Sequence, residues 1–362
     1  MLIWAMKIVS NLYFFPYDVM VYGIFFRSVM SLLCAFFIVL GIGTYYIKWL
    51  HKFHYFQNIR SDGPSSHFLK QGTPTMGGII MLISVMISTL IWNDLSNLYV
   101  WYVLLILISY GILGLIDDLF KISRKNATGL SIIEKYVWQS LIAVILLIII
   151  FFFKSIHVNT SSLISLLKNL LFQLDIWNML LAYFVIVSVS NAVNLSDGLD
   201  GLAIVPVMWV ALGLSIIAWI SSNIYFSNYF HLIYIYHAKE LVIICASIIG
   251  SGLGFLWFNA YPARIFMGDI GSLSFGGAIG VISVLLHQEY LLLIMGGVFV
   301  VEVLSVIIQI GFFKILKKRV FRMAPIHHHF EVKGTPETRI VVRVWIISAI
   351  LVLLGLTILK IK

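Results

Sequence analysis

Hydrophobic residues fill nearly every position of this chain in stretches of about 20, the length a helix needs to cross a hydrocarbon core. Ten such stretches are read, at 22–48, 75–92, 99–116, 134–153, 177–193, 202–220, 240–258, 270–286, 291–313 and 340–359. Polar positions gather between them. Inside a bilayer a backbone must satisfy its own hydrogen bonds, so uninterrupted apolar runs of this length predict helices. The pattern therefore predicts an all-α, polytopic integral membrane protein, with residues 1–362 as a single multi-span membrane domain.

Composition agrees. The chain is 61% hydrophobic and 11% charged, with mean hydropathy +1.03, where soluble domains carry roughly 25% charged residues. Cys34 and Cys245 both fall inside apolar runs, which argues against a disulfide framework and excludes a cysteine metal site. Glycines at 250, 252 and 254, then at 276, 277 and 280, suit close helix approach. No strand precedes them and no P-loop lysine follows, so they do not read as a nucleotide loop.

The net charge of +9 resembles a nucleic-acid signal, but the basic residues lie between apolar runs and read better as topology determinants. Loops after the odd-numbered runs, with their flanks, hold 17 of the 24 lysines and arginines. The positive-inside rule places these loops in the cytoplasm and both termini outside.

Five aspartates then fall on the predicted cytoplasmic face: Asp117, Asp118, Asp197, Asp200 and Asp269. Asp117 and Asp118 close the third run. Adjacent helical residues point about 100° apart, so both can face one ligand only if the helix ends there. Two solvated loop acids are the ordinary explanation, but an acid at a helix C-terminus opposes the macrodipole and calls for a compensating cation. Asp197 and Asp200, three apart, share a face on a helical turn, with Asn194 adding a third polar group. A capping turn is the alternative there, and an N-cap is the alternative for Asp269 at the start of the eighth run. Magnesium takes few carboxylates plus phosphate and water.

Two further features point to phosphate, and a third is an acid without an assigned role. His327, His328 and His329 follow Pro325; neighbouring side chains diverge, so three consecutive histidines do not suit one zinc, whereas imidazoles donate to phosphate near neutral pH. The first cytoplasmic loop carries Ser61-Asp62-Gly63-Pro64, His67, Lys70 and Gly72-Thr73-Pro74-Thr75-Met76-Gly77-Gly78. Turn chemistry explains its Gly and Pro, and Lys70 beside that turn either faces a diphosphate or anchors the membrane edge. Glu302, inside the ninth run, is an intramembrane acid of the kind that is either functional or paired.

Together SDGPSSH, KQGTPTMGG, GLIDDLFK, NLSDGLDGLA, NAYPARIFMGD and MAPIHHHFE resemble the phospho-N-acetylmuramoyl-pentapeptide transferase family, within the polyprenyl-phosphate N-acetylhexosamine-1-phosphate transferases. The resemblance runs from Arg60 to Arg343, and the last motif distinguishes the muramoyl-pentapeptide branch. Ser196 and Ile270 stand where the family more often has Thr, and Thr or Val.

The resemblance implies ten transmembrane helices, periplasmic termini, a homodimer and a bacterial inner (cytoplasmic) membrane location. It implies transfer of phospho-MurNAc-pentapeptide from UDP-MurNAc-pentapeptide to undecaprenyl phosphate, a membrane lipid, giving lipid I and UMP. By motif, Asp269 is the Mg2+ ligand and Asp117 and Asp118 the catalytic pair, with Lys121 and Lys135 neutralising phosphate. His328 and His329, with His327, lie near the diphosphate or sugar. Lys70, Thr75, Asn191, Asn194, Asp197, Gly198, Leu199, Asp200, Asn259 and Phe266 bind substrate, with Phe266 placed to stack on uracil. A GlcNAc-1-phosphate transferase is the nearest alternative enzyme. A transporter would place its acids near the midplane, often within repeats.

Overall fold

The computed structural model describes residues 23–56, 70, 72–124, 129–154 and 171–359. The Ser61–His67 motif, Arg60, Gln71 and Lys125 lie outside the described residues. Among the described residues the regular structure is helical, apart from one isolated bridge between Phe56 and Pro74.

The helices are α1 (Ile24–Lys52), α2 (Gly78–Trp92), α3 (Leu98–Ser123), α4 (Ile132–Lys154), α5 (Leu171–Ser196), α6 (Ile204–Ser221), α7 (Ile224–Tyr229), α8 (Lys239–Asn259), α9 (Gly268–Leu285), α10 (Glu289–Met295), α11 (Gly297–Leu316), α12 (Ile326–Val332) and α13 (Glu337–Ile358). Each of the ten predicted runs contains a helix. Among the described residues, nine helices are long and apolar enough to cross a membrane. The other run forms α2, whose 15 residues rise only about 22 Å.

The ninth run departs from expectation. It is two helices, α10 and α11, separated at Gly296. Gly296–Gly297 supplies the break, because glycine lowers the cost of leaving helical geometry. α10 packs on α13 and α6, while α11 packs on α5 and α13.

α8 and α9 form the centre. α8 lies against α1, α2 and α6, and α9 against α3 and α5. The glycine spacing predicted this. A side chain at Gly250 would enter the backbone of Leu32 on α1, and one at Gly276 would meet Ser190 on α5. Lipid tails are as apolar as leucine, so close backbone packing rather than hydrophobicity holds such helices together. The lipid-facing sides of α1, α4, α11 and α13 keep many exposed Ile, Leu and Phe.

The C-terminal ends of α3 and α5 meet the N-terminal ends of α4 and α9. That meeting gathers the acidic motifs. At the opposite end, the starts of α1 and α8 meet the end of α2 around a buried Arg27–Glu240 pair.

Candidate active site

Asp117, Asp118 and Asp269 converge at the first of these ends, offering oxygens that lie within 4.8 Å of one another. α3 does not stop at Asp118; it runs to Ser123. The two neighbours share a site because Asp269 enters the wedge between them. Glycine makes that approach possible. Gly114, one turn before the pair, sits directly on the backbone of Asp269 and Ile270, and Gly268 turns the chain into α9 at φ +73°. Asp269 does not cap its helix: its side chain leaves α9 for lysines of α3 and α4.

Two ammonium groups hold the carboxylates together. Lys121 Nζ lies 2.7 Å from Asp117, 3.0 Å from Asp269 and 3.5 Å from Asp118. Lys135 Nζ donates to Asp269 Oδ2 at 2.5 Å and stands 3.9 Å from Asp117. Asn194 Nδ2 donates to Asp269 Oδ1 at 2.9 Å and to Ser272 Oγ. The Leu130 amide donates to Asp117 Oδ1 at 2.7 Å. Among the described residues the cluster has three carboxyl groups sharing two ammoniums, so acid groups outnumber cations. Its hard oxygen donors suit a small divalent cation, and Lys121 Nζ already marks a cation position common to all three.

A second group lies on the loop between α5 and α6. Lys70 Nζ donates to Asp200 at 2.6 Å and to Glu337 at 2.5 Å. Asp200 also accepts from the Ala263 amide, and its own amide donates to Glu337. Burial works against the Lys70 charge, but hydrogen bonds to Asp200 and Glu337 outweigh it and raise its pKa. Asn259 accepts from the Gly201 amide and donates to the Ile265 carbonyl. Gly201, at φ +73°, needs the conformational freedom of glycine. Residues 197–203 are turns rather than a helix, so Asp197 and Asp200 part company. Asp197 feels the first cluster: burial, then the Asp269 and Asp200 carboxylates, push its pKa up to about 7.

Thr75 and Phe266 are stitched into one frame. The Thr75 amide donates to Tyr55, the Phe266 amide to Pro74, and the Gly77 amide to Phe266. Leu199 is buried against Ile340 and Val341. Asn191 points elsewhere, donating to Gln139 Oε1 and the Val187 carbonyl. It ties α5 to α4 one turn from Asn194, whose Oδ1 accepts from Lys135 Nζ at 3.4 Å.

The three histidines sit on the short helix α12 and diverge as their spacing requires. His327 Nδ1 lies 3.0 Å from Glu302, His328 Nδ1 lies 3.1 Å from Glu331, and His329 Nδ1 accepts from the Arg322 amide. Burial, then Lys333 and Arg322, lower the His329 pKa. Sequence reasoning did not find Glu337. Its signal was present, however: an acid opening the last apolar run, on the face that carries the other acids.

Fold and site define a multi-pass helical membrane protein with a cluster of carboxyl and ammonium groups at one end of its bundle. A family model described as glycosyl transferase family 4 matches residues 100–287. The phospho-N-acetylmuramoyl-pentapeptide-transferase of Blochmanniella floridana is 57% identical over 359 residues, which is 99% of this chain and 98% of that protein. The chain belongs to glycosyl transferase family 4, among the phospho-N-acetylmuramoyl-pentapeptide-transferases.

Proposed function

We propose that the protein transfers phospho-MurNAc-pentapeptide from UDP-MurNAc-pentapeptide to undecaprenyl phosphate, releasing UMP and forming lipid I. The observation that carries this is the Asp117–Asp118–Asp269 cluster with Lys121 and Lys135, in a chain so close to a transferase of that name. Residues 1–362 act as one domain crossing a bacterial cytoplasmic membrane ten times. Both termini lie outside, the site opens to the cytoplasm, and two copies pair.

The reaction exchanges one phosphoanhydride for another, so it needs no second energy source. Its barrier is the meeting of two anionic phosphates, which fixed positive charges lower. Asp269, with Asp117 and Asp118, would hold Mg2+, which supplies Lewis acidity toward a phosphoryl oxygen. Lys121 and Lys135 spread further positive charge over the phosphates, and Asn194 fixes Asp269. Asp117, anchored by the Leu130 amide, orients the lipid phosphate for direct attack on the β-phosphate and takes its proton if it carries one. Lys70, Asp200, Glu337 and Asn259 hold the loop that receives the nucleotide, and Phe266 offers its ring to uracil. Metal-held carboxylates are poor free nucleophiles, which favours direct attack over a phospho-enzyme.

Purified protein with undecaprenyl phosphate and Mg2+ should release UMP from UDP-MurNAc-pentapeptide and not from UDP-GlcNAc. The reverse preference would make it a GlcNAc-1-phosphate transferase. Radiolabelled sugar phosphate trapped on the enzyme without lipid would overturn direct attack.

A further inference from the structure

Glu302 and His327 form a buried dyad outside the acid–lysine cluster. Glu302 is 2% exposed and His327 is 1% exposed. Glu302 lies on α11, shortly after the break at Gly296–Gly297, and meets α12 through the 3.0 Å contact with His327 Nδ1. The other ring nitrogen, Nε2, is buried and has no hydrogen-bond partner among the described residues. It is packed on Gly198, where any Cβ would enter the imidazole. Gly198 sits between Asp197 and Asp200, in the loop assigned above to the nucleotide. A buried polar nitrogen left unpaired costs about 1–3 kcal/mol, and such groups are normally satisfied by ligand or water.

We infer that Glu302 is a positioning residue, which holds His327 with its proton on Nδ1 so that Nε2 presents a lone pair to a hydrogen-bond donor, an N–H or hydroxyl, of the nucleotide substrate. The carboxylate can only accept, so Nδ1 must carry the proton. In neutral imidazole that leaves Nε2 as the acceptor. His327 therefore reads a donor group and not a phosphate oxygen, unlike the lysines of the cluster. The inference rests on the proposed transferase reaction, and Gly198 is small because the ring must reach across that position.

Glu302→Leu should raise the KM for UDP-MurNAc-pentapeptide about tenfold, the worth of roughly one hydrogen bond, with kcat and the KM for undecaprenyl phosphate unchanged. Glu302→Gln keeps an accepting oxygen and should restore most of the loss. Gly198→Ala, which displaces the ring without touching Glu302, should raise the same KM and serves if Glu302→Leu does not fold. With 15N-labelled histidine, the signal lost in His327→Asn should show a protonated Nδ1 and a bare Nε2. Unchanged nucleotide KM in Glu302→Leu and Gly198→Ala would overturn the inference. So would a parallel rise in both KM values, or protons on both nitrogens at neutral pH. Absence of UMP release from the wild type would instead refute the transferase reading.

Discussion

The two ends of the helix bundle both bury charge, and they do it differently. At one end Arg27 faces Glu240, one guanidinium on one carboxylate. Arg27 donates twice, at 2.8 and 3.0 Å, and Glu240 also accepts from the Asp94 amide and Asn93. Charge is balanced and both carboxylate oxygens are occupied, the arrangement expected of a bond between helices. At the other end three carboxylates share two ammoniums, and Lys121 keeps over a quarter of its side chain accessible. Acid groups there outnumber cations, and the cluster is reachable. A matched, closed pair holds helices together, whereas an open cluster with more acids than cations suits the proposed binding of substrate and cation.

Lys121→Met gives the largest effect expected at the open end. It should lower lipid-dependent UMP release by about 10²–10³-fold, the worth of one preorganised charge at a reacting phosphate. Retained activity would make Lys121 part of a structural network. At the closed end Glu240→Ala strands a buried guanidinium and should cost about 3–5 kcal/mol of stability, read as a lower unfolding temperature. The turnover of the folded fraction should stay normal; if turnover falls without loss of stability, the division between the ends fails.

A smaller effect is expected for Glu337→Gln, which removes one of two carboxylates on Lys70. The nucleotide KM should rise by about tenfold, one charge-assisted hydrogen bond, and kcat should hold. The least effect concerns pH. Asp197 titrates at about 7 when folded and near 3.9 when unfolded. Between those values the folded protein binds the extra proton, so stability relative to Asp197→Asn falls as pH rises through this window, then levels off above about 7. The slope is at most about 1.4 kcal/mol per pH unit. Unfolding temperatures of both proteins from pH 5 to 8, without nucleotide or Mg2+, measure it, and parallel curves would refute it.

Much of this was legible because the bilayer leaves few choices. Apolar runs located the helices, and the positive-inside count, blind to aspartates, put every acidic motif on one face. Other features were hidden because they depend on contacts distant in sequence. Arg27 counted as a topology signal, yet its partner is 213 residues away. Glu302 was an unassigned intramembrane acid until α12 folded back upon it. Asp117 and Asp118 seemed to need a helix end, because nothing in the sequence showed Asp269 passing Gly114 to reach the space between them. Asn191, named among the substrate residues, also donates to Gln139 on the neighbouring helix α4, a contact its sequence position did not show.

The most direct measurement compares wild type with Asp269→Ala for lipid-dependent UMP release and thermal unfolding in the same preparation. Removing Asp269 leaves Asp117 and Asp118 beside Lys121 and Lys135, so acid groups and ammoniums become equal in number. The account predicts that UMP release falls to background while the unfolding temperature barely moves. Retained release with a markedly lower unfolding temperature would contradict it, because the open cluster would then be a structural ion network like the pair at the opposite end.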